Sequence, residues 1–437
     1  MGQSSSLDRN SGLIKSLGPG IILAGACIGG SHLMSSTTAG AKYGFALLGL
    51  ILITNLIKYP FLLVGTRFTA VTGKSLLEGF QETNPIYLPL YVIVGLVTGT
   101  FTISAVSFVS GLLLTNIPIF NVFPPMDLAI GVLMVSGLIL IFGKYKALDK
   151  ISKILVALLT LLTAVAVVSL LLKNPTGNLA NTLINSDPSP WELTNLAFLI
   201  PLMGWMPGPV ELCVWPSLWM FSRAEETNHV ASIREAEFDF NLGYIITVIT
   251  AIFFVTLGAL TMYGEGSGMM SGSGISFAQN LINLYTDAMG GWAKWVIVPA
   301  AFAAMFSTTL TCLDAYPRSI SASQGLLLKT NNSTSSKKKE RDRLRSWTVI
   351  HILASLIALL ISRAGGVTVK DFVFGAMTGS FLSAPLFAWM ALNTINSKSV
   401  PSKYRYRGFI KFLSWFGLIF LSGFSLLFIA NTFFNLG

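Results

Sequence analysis

Apolar runs, each about long enough to cross a bilayer, alternate along this chain with short stretches rich in glycine, proline and charge. A helix needs roughly 20 residues to span a hydrocarbon core of about 30 Å. Eleven runs meet or approach that length: 13–43, 45–72, 87–115, 125–143, 148–172, 193–221, 240–263, 291–316, 346–362, 370–393 and 409–433. Each predicts a helix, because an unclosed strand cannot satisfy its backbone in lipid. None shows the alternation over roughly ten residues that marks a barrel strand. The expected architecture is an all-α polytopic membrane protein, one transmembrane domain over 1–437.

Two of the runs are interrupted in the middle. The first reads LGPGIILAGACIGGSHLMSSTTAGAKYG, with Gly29, Gly30 and Ser31 at its centre. The sixth reads LAFLIPLMGWMPGPVELCVWPSLW, with Gly204, Pro207, Gly208 and Pro209 there. Proline removes a backbone donor and clashes with the preceding turn, and glycine relaxes the chain. Both runs therefore predict an unwound segment, whose freed carbonyls and half-helix ends must face a protein-enclosed or wet cavity. The breaks fall at matching places, one opening runs 1–5 and the other opening runs 6–10. That is the layout of an inverted-repeat secondary transporter with its substrate between the broken helices. The repeats would cover 13–172 and 193–393, leaving 409–433 as an extra helix.

Composition adds the class and the orientation. Of 437 residues, 53% are hydrophobic and 11% charged, against roughly 25% charged in a soluble domain. So little charge cannot coat a water-soluble globule of this size. The net charge of +10 predicts no nucleic-acid partner, because most of the basic excess falls in short loops where it sets orientation. With the N-terminus in the cytoplasm, inner loops hold Arg67, Lys74, Lys144, Lys146, Lys150, Lys153, Arg223 and Arg234. They also hold the KKKERDRLR block from Lys337 to Arg345, and Lys398, Lys403, Arg405, Arg407 and Lys411. Outer loops hold Lys42, Lys173, Lys294, Arg363 and Lys370. The expected location is the inner or plasma membrane, N-terminus cytoplasmic and C-terminus external, with 330–345 a flexible cytoplasmic loop. Cys27, Cys213 and Cys312 all lie in apolar runs, which argues against a disulfide framework. The sequence carries no phosphate loop, metal-hydrolase spacing or nucleophile–base pair. Neither an enzyme nor an ATP-driven pump is expected, and no cofactor.

At the two breaks the sequence resembles a known family. GPGIILAGACIGGSHLMSSTTAGAKYGFALLGLILITN is similar to the first two helices of the Nramp family of divalent-metal transporters. That family has a GPG start, an Asp-Pro-Gly-Asn break and an AGAxYGxxLLW continuation. WMPGPVELCVWPSLW is similar to its sixth-helix segment around Met-Pro-His-Asn, and VTGKSLLEGF follows the second helix in the same way. The resemblance implies a leucine-transporter-like inverted repeat of five plus five helices with an eleventh helix. Carried over residue by residue, it puts the family's metal-binding aspartate at Gly29 and its asparagine at His32. The soft methionine ligand falls on Met206 and an upstream carbonyl donor on Met203, while Gly208 and Pro209 replace the family's His-Asn. The third run, YVIVGLVTGTFTISAVSFVSG, has no ionisable group where the family carries its proton route.

The expected substrate site is Ala26, Gly29, Gly30, Ser31, His32, Met203, Met206, Pro207, Gly208, Glu211 and Thr378. His32 lies deep in a run beside a break. Its ring can bind a borderline metal, carry a proton or hydrogen-bond an organic substrate, or simply be satisfied by a neighbouring carbonyl. Met203 and Met206 are three apart and on a helix can face the same way, forming with His32 a soft, low-charge pocket; in it the resemblance implies Met206 as a metal ligand, with His32 the other candidate. Glu211 is a carboxylate within a run, costly and functional by default, with Lys58 as its candidate partner. Asp314 can gate or pair with Arg318, and Thr378, Ser380 and Ser383 offer hydroxyls. Two cargo classes follow. One is a divalent cation, softer or held less tightly for want of the aspartate. The other is a small organic solute, an amino acid or carboxylate, held by half-helix N-termini with Ser31 and His32, with metal binding and proton coupling lost. A non-transporting scaffold would instead show no cavity between the breaks.

Overall fold

The computed structural model describes residues 13, 15–142, 145–173, 189–263, 274–329 and 336–434, and its elements are helical throughout. The first half holds α1 (Pro19–Cys27), a wide π turn (Ser31–Ser36), α2 (Thr37–Tyr43), α3 (Leu48–Thr72), α4 (Leu76–Thr83), α5 (Tyr87–Leu114), α6 (Pro125–Phe142) and α7 (Tyr145–Lys173). The second holds α8 (Leu196–Trp205), a 3-10 turn (Val210–Cys213), α9 (Val214–Thr227), α10 (Ile233–Thr261), α11 (Gly274–Met289) and α12 (Lys294–Leu327). It closes with α13 (Ser336–Ala364), α14 (Val369–Ile395) and α15 (Gly408–Phe434).

Among the described residues, nine helices are long and apolar enough to cross a membrane, with Leu193–Thr227 counted as one. The first expected run is not among them because it is split into α1 and α2, and the fifth contributes a shorter apolar helix, Ala157–Lys173. Ile93, Val97 and Phe101 on α5 and Phe412, Phe416 and Ile419 on α15 point outward and are exposed, an apolar surface suited to lipid. Two segments depart from the pattern. The basic stretch 330–345, read above as a loop, is helical from Ser336 onward, because Lys, Glu, Arg and Leu are strong helix formers; 330–335 lie outside the described residues. Between the seventh and eighth runs stands the amphipathic α11, burying Phe277, Leu281, Tyr285 and Ala288. Its polar face kept it from reading as a span.

Helix α10 runs along both halves of the broken first run. Glycines permit the approach. A Cβ at Gly20 would lie 2.3 Å from the Asp239 carbonyl oxygen, and one at Gly243 2.3 Å from that of Gly20. Farther along, a Cβ at Gly40 would meet the Val255 oxygen at 2.1 Å and one at Gly258 the Thr37 oxygen at 2.2 Å. This is the small-residue packing by which membrane helices associate. A second group packs α5 against α6, α12 and α13, and the groups meet where α1 and α9 touch α12.

The GPG start of α1 has its own anchor. Pro19 has no N–H to satisfy, and the Asp239 carboxylate on α10 accepts the N–H groups of Gly18 (3.0 Å) and Gly20 (2.6 Å). A carboxylate there also complements the positive helix end. Asp239→Ala is expected to loosen α1, lowering stability by about 1–2 kcal/mol. A cysteine placed at Ser16, now 4% exposed, should then be labelled faster by a water-soluble maleimide. Unchanged labelling would mean that the carboxylate does not hold the helix.

Candidate functional site

The first break is short. Ile28 closes α1 with its N–H on the Ala24 carbonyl, and only Ile28 and Gly29 leave helical geometry before the π turn. Hydroxyls serve the wide turn: Ser31 Oγ donates to the Cys27 carbonyl at 2.7 Å and Thr37 Oγ1 to that of His32 at 3.2 Å. The second break is longer. Helix α8 stops at Trp205, and Met206–Pro209 carry no helix before the 3-10 turn.

The expected Lys58–Glu211 ion pair does not form. Lys58, on α3, is fully buried, and its Nζ donates to the carbonyls of Met203 (2.6 Å), Gly204 (2.8 Å) and Gly208 (3.1 Å). The last carbonyls of α8 have no partner within their own helix. Burying an ammonium costs several kcal/mol. Three hydrogen bonds to a charged donor, at about 1.5–3 kcal/mol each, together with the negative end of α8, offset that cost. Glu211, equally buried, instead accepts from Tyr316 Oη on α12 (3.0 Å) and Ser383 Oγ on α14 (3.4 Å). Asp314 does pair with Arg318, at 2.6 and 3.0 Å, and also accepts from Trp219 Nε1 at 3.0 Å, tying α9 to α12.

Between the breaks lies a cavity of about 20 Å³, room for one water-sized body. Ala26, Gly30, Ser31, Pro207 and Gly208 of the expected site line it, joined by Cys27, Thr102, Trp205, Trp215, Thr308 and Cys312. Gly29, His32, Met203, Met206, Glu211 and Thr378 are not in that lining.

The reasons are local. His32 Nε2 sits 2.9 Å from the Thr247 carbonyl on α10, and Nδ1 sits 2.7 Å from Ser31 Oγ and 2.9 Å from the Cys27 carbonyl. Oxygens of Thr247, Ser31 and Cys27 thus enclose both ring nitrogens at 2.7–2.9 Å, so the ring is spent on its protein neighbours and does not face the cavity. Met203 and Met206 do not form a shared face, because the helix ends at Trp205 between them. Among the described residues no three His, Cys, Asp or Glu side chains gather as a metal-ligand set. Thr378 is half-buried. Its neighbours make the contacts, Ser380 Oγ accepting from Trp205 Nε1 at 3.1 Å and Met377 packing near Gly30. The missed lining residues carried a weak signal: Thr308 and Cys312 are four apart in STTLTC, on one face of a helix.

Gly29 explains the absent aspartate sterically. A Cβ there would lie 2.4 Å from Thr308 Oγ1 and 3.1 Å from Thr308 Cβ, and that hydroxyl is held by the Gly25 carbonyl at 3.0 Å. Gly29→Asp is therefore expected to destabilise the protein by about 1–3 kcal/mol through overpacking and to add no manganese affinity. Adding Thr308→Gly should recover the folded yield. Calorimetric titration of both variants checks this, and a well-folded single variant that binds manganese more tightly than wild type would refute it.

The chain matches the family profile "Natural resistance-associated macrophage protein-like" over residues 20–431. An uncharacterised protein of Pasteurella multocida (strain Pm70) is 35% identical over 415 residues, covering 95% of this chain and 92% of the relative. A mutant of the Eremococcus coleocola manganese transporter superposes with a TM-score of 0.68 at 14% identity, covering 97% of this chain and 89% of that one. MhsT, solved in complex with L-phenylalanine, gives 0.61 at 16% identity, covering 94% and 98%. These likenesses establish the fold as the leucine-transporter-like inverted repeat of five plus five helices with an eleventh. Because the profile spans nearly the whole chain and a relative above 30% identity covers most of it, the chain belongs to the Nramp family, whose members are multi-pass membrane transporters and not enzymes.

Proposed function

We propose that the chain is a secondary transporter of a divalent metal cation, working by alternating access as the two broken helices open the cavity to one membrane face and then the other. The cavity carries this reading. Its volume suits a single ion or water rather than a larger solute, and its polar lining comprises the thiols of Cys27 and Cys312 and the hydroxyls of Ser31, Thr102 and Thr308. Thiols favour soft or borderline ions, and the lining offers no carboxylate for a hard one. The Eremococcus coleocola neighbour is a manganese transporter, which supports a metal cargo. In this reading the repeats are 13–172 and 193–393 with 409–433 appended, the N-terminus is cytoplasmic, the C-terminus external and the location the inner or plasma membrane.

A second reading keeps the fold and moves a small organic solute, an amino acid or carboxylate. It is favoured by the Lys58 ammonium already held at the break and by MhsT, the same fold with L-phenylalanine bound. Uptake of cadmium, zinc, manganese and magnesium into proteoliposomes, beside labelled amino acids, separates the two. The metal reading expects cadmium and zinc flux above magnesium flux, cut by Cys27→Ser and Cys312→Ser. Saturable amino-acid uptake with no metal flux would replace it with the second.

A further inference from the structure

Three main-chain carbonyls converge on one nitrogen at the break of the sixth run. Met203 and Gly204 contribute from the end of α8, Gly208 from the unwound segment, and Lys58 Nζ lies 2.6–3.1 Å from all three. We propose that the Lys58 ammonium is a built-in cation, filling a carbonyl cradle that would otherwise take a dissolved monovalent ion. The inference concerns the same break as the transport reading but does not rest on the nature of the cargo.

The cradle is written into the backbone. In an unbroken helix the Met203 carbonyl would bond the N–H four residues on, but that residue is Pro207, which has none. Leu212, four beyond Gly208, donates instead to the Pro209 carbonyl at 3.2 Å. The carbonyls are thus left facing inward with no helical partner, and all three ammonium protons find an acceptor. Converging neutral carbonyls are the ligand type that replaces the hydration shell of a monovalent cation. No carboxylate neutralises the ammonium by direct contact, since Glu211 is bonded to Tyr316 and Ser383. The arm that delivers the charge is well braced. Two helical turns along α3, Gly65 is pressed so close to the 3-10 turn that a Cβ would lie 1.8 Å from the Cys213 oxygen.

The test uses the full-length protein in detergent and reads its thermal unfolding midpoint in N-methyl-D-glucamine, sodium, potassium or methylammonium chloride. Wild type should unfold at the same temperature in all four. Lys58→Ala should drop by on the order of 5 °C in N-methyl-D-glucamine and regain at least about half of that in potassium or methylammonium. Lys58→Met, which refills the stem volume without a charge, should stay low in every salt. A Lys58→Ala protein indifferent to all cations, or a Lys58→Met protein as stable as wild type, overturns the proposal. If Lys58→Ala does not accumulate, Lys58→Ser, which also leaves the cradle open, is compared in the same salts with the same expectation. In wild type, the 15N side-chain resonance that disappears in Lys58→Arg should be that of an ammonium, and a neutral amine there overturns the proposal directly. None of these readouts uses flux, so failure of the metal-transport reading would leave them unchanged.

Discussion

Gly65→Ala is expected to remove most of the folded, monodisperse protein, whereas Gly49→Ala on the same helix should leave it intact. A Cβ at Gly65 would lie 1.8 Å from the Cys213 carbonyl oxygen and 3.0 Å from its carbon. Those are backbone atoms, which cannot swing aside as a flexible side chain can. Helix α3 would have to retreat by more than about 1 Å to restore ordinary contact. Lys58, two turns away, would then leave hydrogen-bond reach of its three carbonyls. Overpacking alone costs about 1–3 kcal/mol, and each lost charge-assisted bond about 1.5–3 more. That sum rivals the whole stability of a typical domain, about 5–15 kcal/mol. At Gly49 a Cβ meets nothing within 4 Å, and alanine there improves helix propensity. Size-exclusion profiles of the two variants make the comparison, and equal profiles would mean that α3 and the sixth run do not approach so closely.

What could be read from the sequence was whatever alters the backbone. Gly29 and Gly30, and Pro207 to Pro209, interrupt apolar runs, and both breaks stand where those residues put them. The partner of Lys58 could not be read in the same way, because a search among side chains finds Glu211 and overlooks carbonyls. Its signal was indirect: Pro207, four after Met203, withdraws the donor that would have occupied that carbonyl. The Met203–Met206 face is absent for a related reason, since i, i+3 geometry does not carry across the point where the helix ends. In the sequence Cys27 and Cys312 speak only against a disulfide framework. Nothing in their apolar surroundings marks them as cavity-lining until α1 and α12 are brought together. Thr308 likewise acquires meaning only from Gly29 opposite it.

Glu211→Gln is expected to fold like wild type yet lose on the order of tenfold or more in metal flux. Glutamine keeps the shape: its oxygen can accept from Tyr316 and its amide N–H can donate to Ser383 Oγ, whose own proton has the Ser380 carbonyl, so both hydroxyls, now 3.0 and 3.4 Å from the carboxylate, retain a partner. Stability should then change by no more than about 1 kcal/mol. The change removes a carboxylate beside the cavity, whose lining includes the next residue, Leu212. A cation entering there meets the Lys58 ammonium held at the same break, and only Glu211 in this stretch of the sixth run can offset both charges. Two unit charges about 4 Å apart at an effective dielectric of 20 interact by about 4 kcal/mol. Even a third of that, at a longer separation, is about tenfold in occupancy. Glu211→Ala should show the same loss of flux and, in addition, a fall in stability of about 1–3 kcal/mol, because the Tyr316 hydroxyl is left buried without its acceptor. Paired flux and thermal-midpoint measurements on the two variants separate charge from scaffolding. Full flux through Glu211→Gln would reduce the carboxylate to a hydrogen-bond acceptor joining the sixth run to α12 and α14. Loss in both variants, with stability lost only in the alanine protein, assigns it to the passage of a cation.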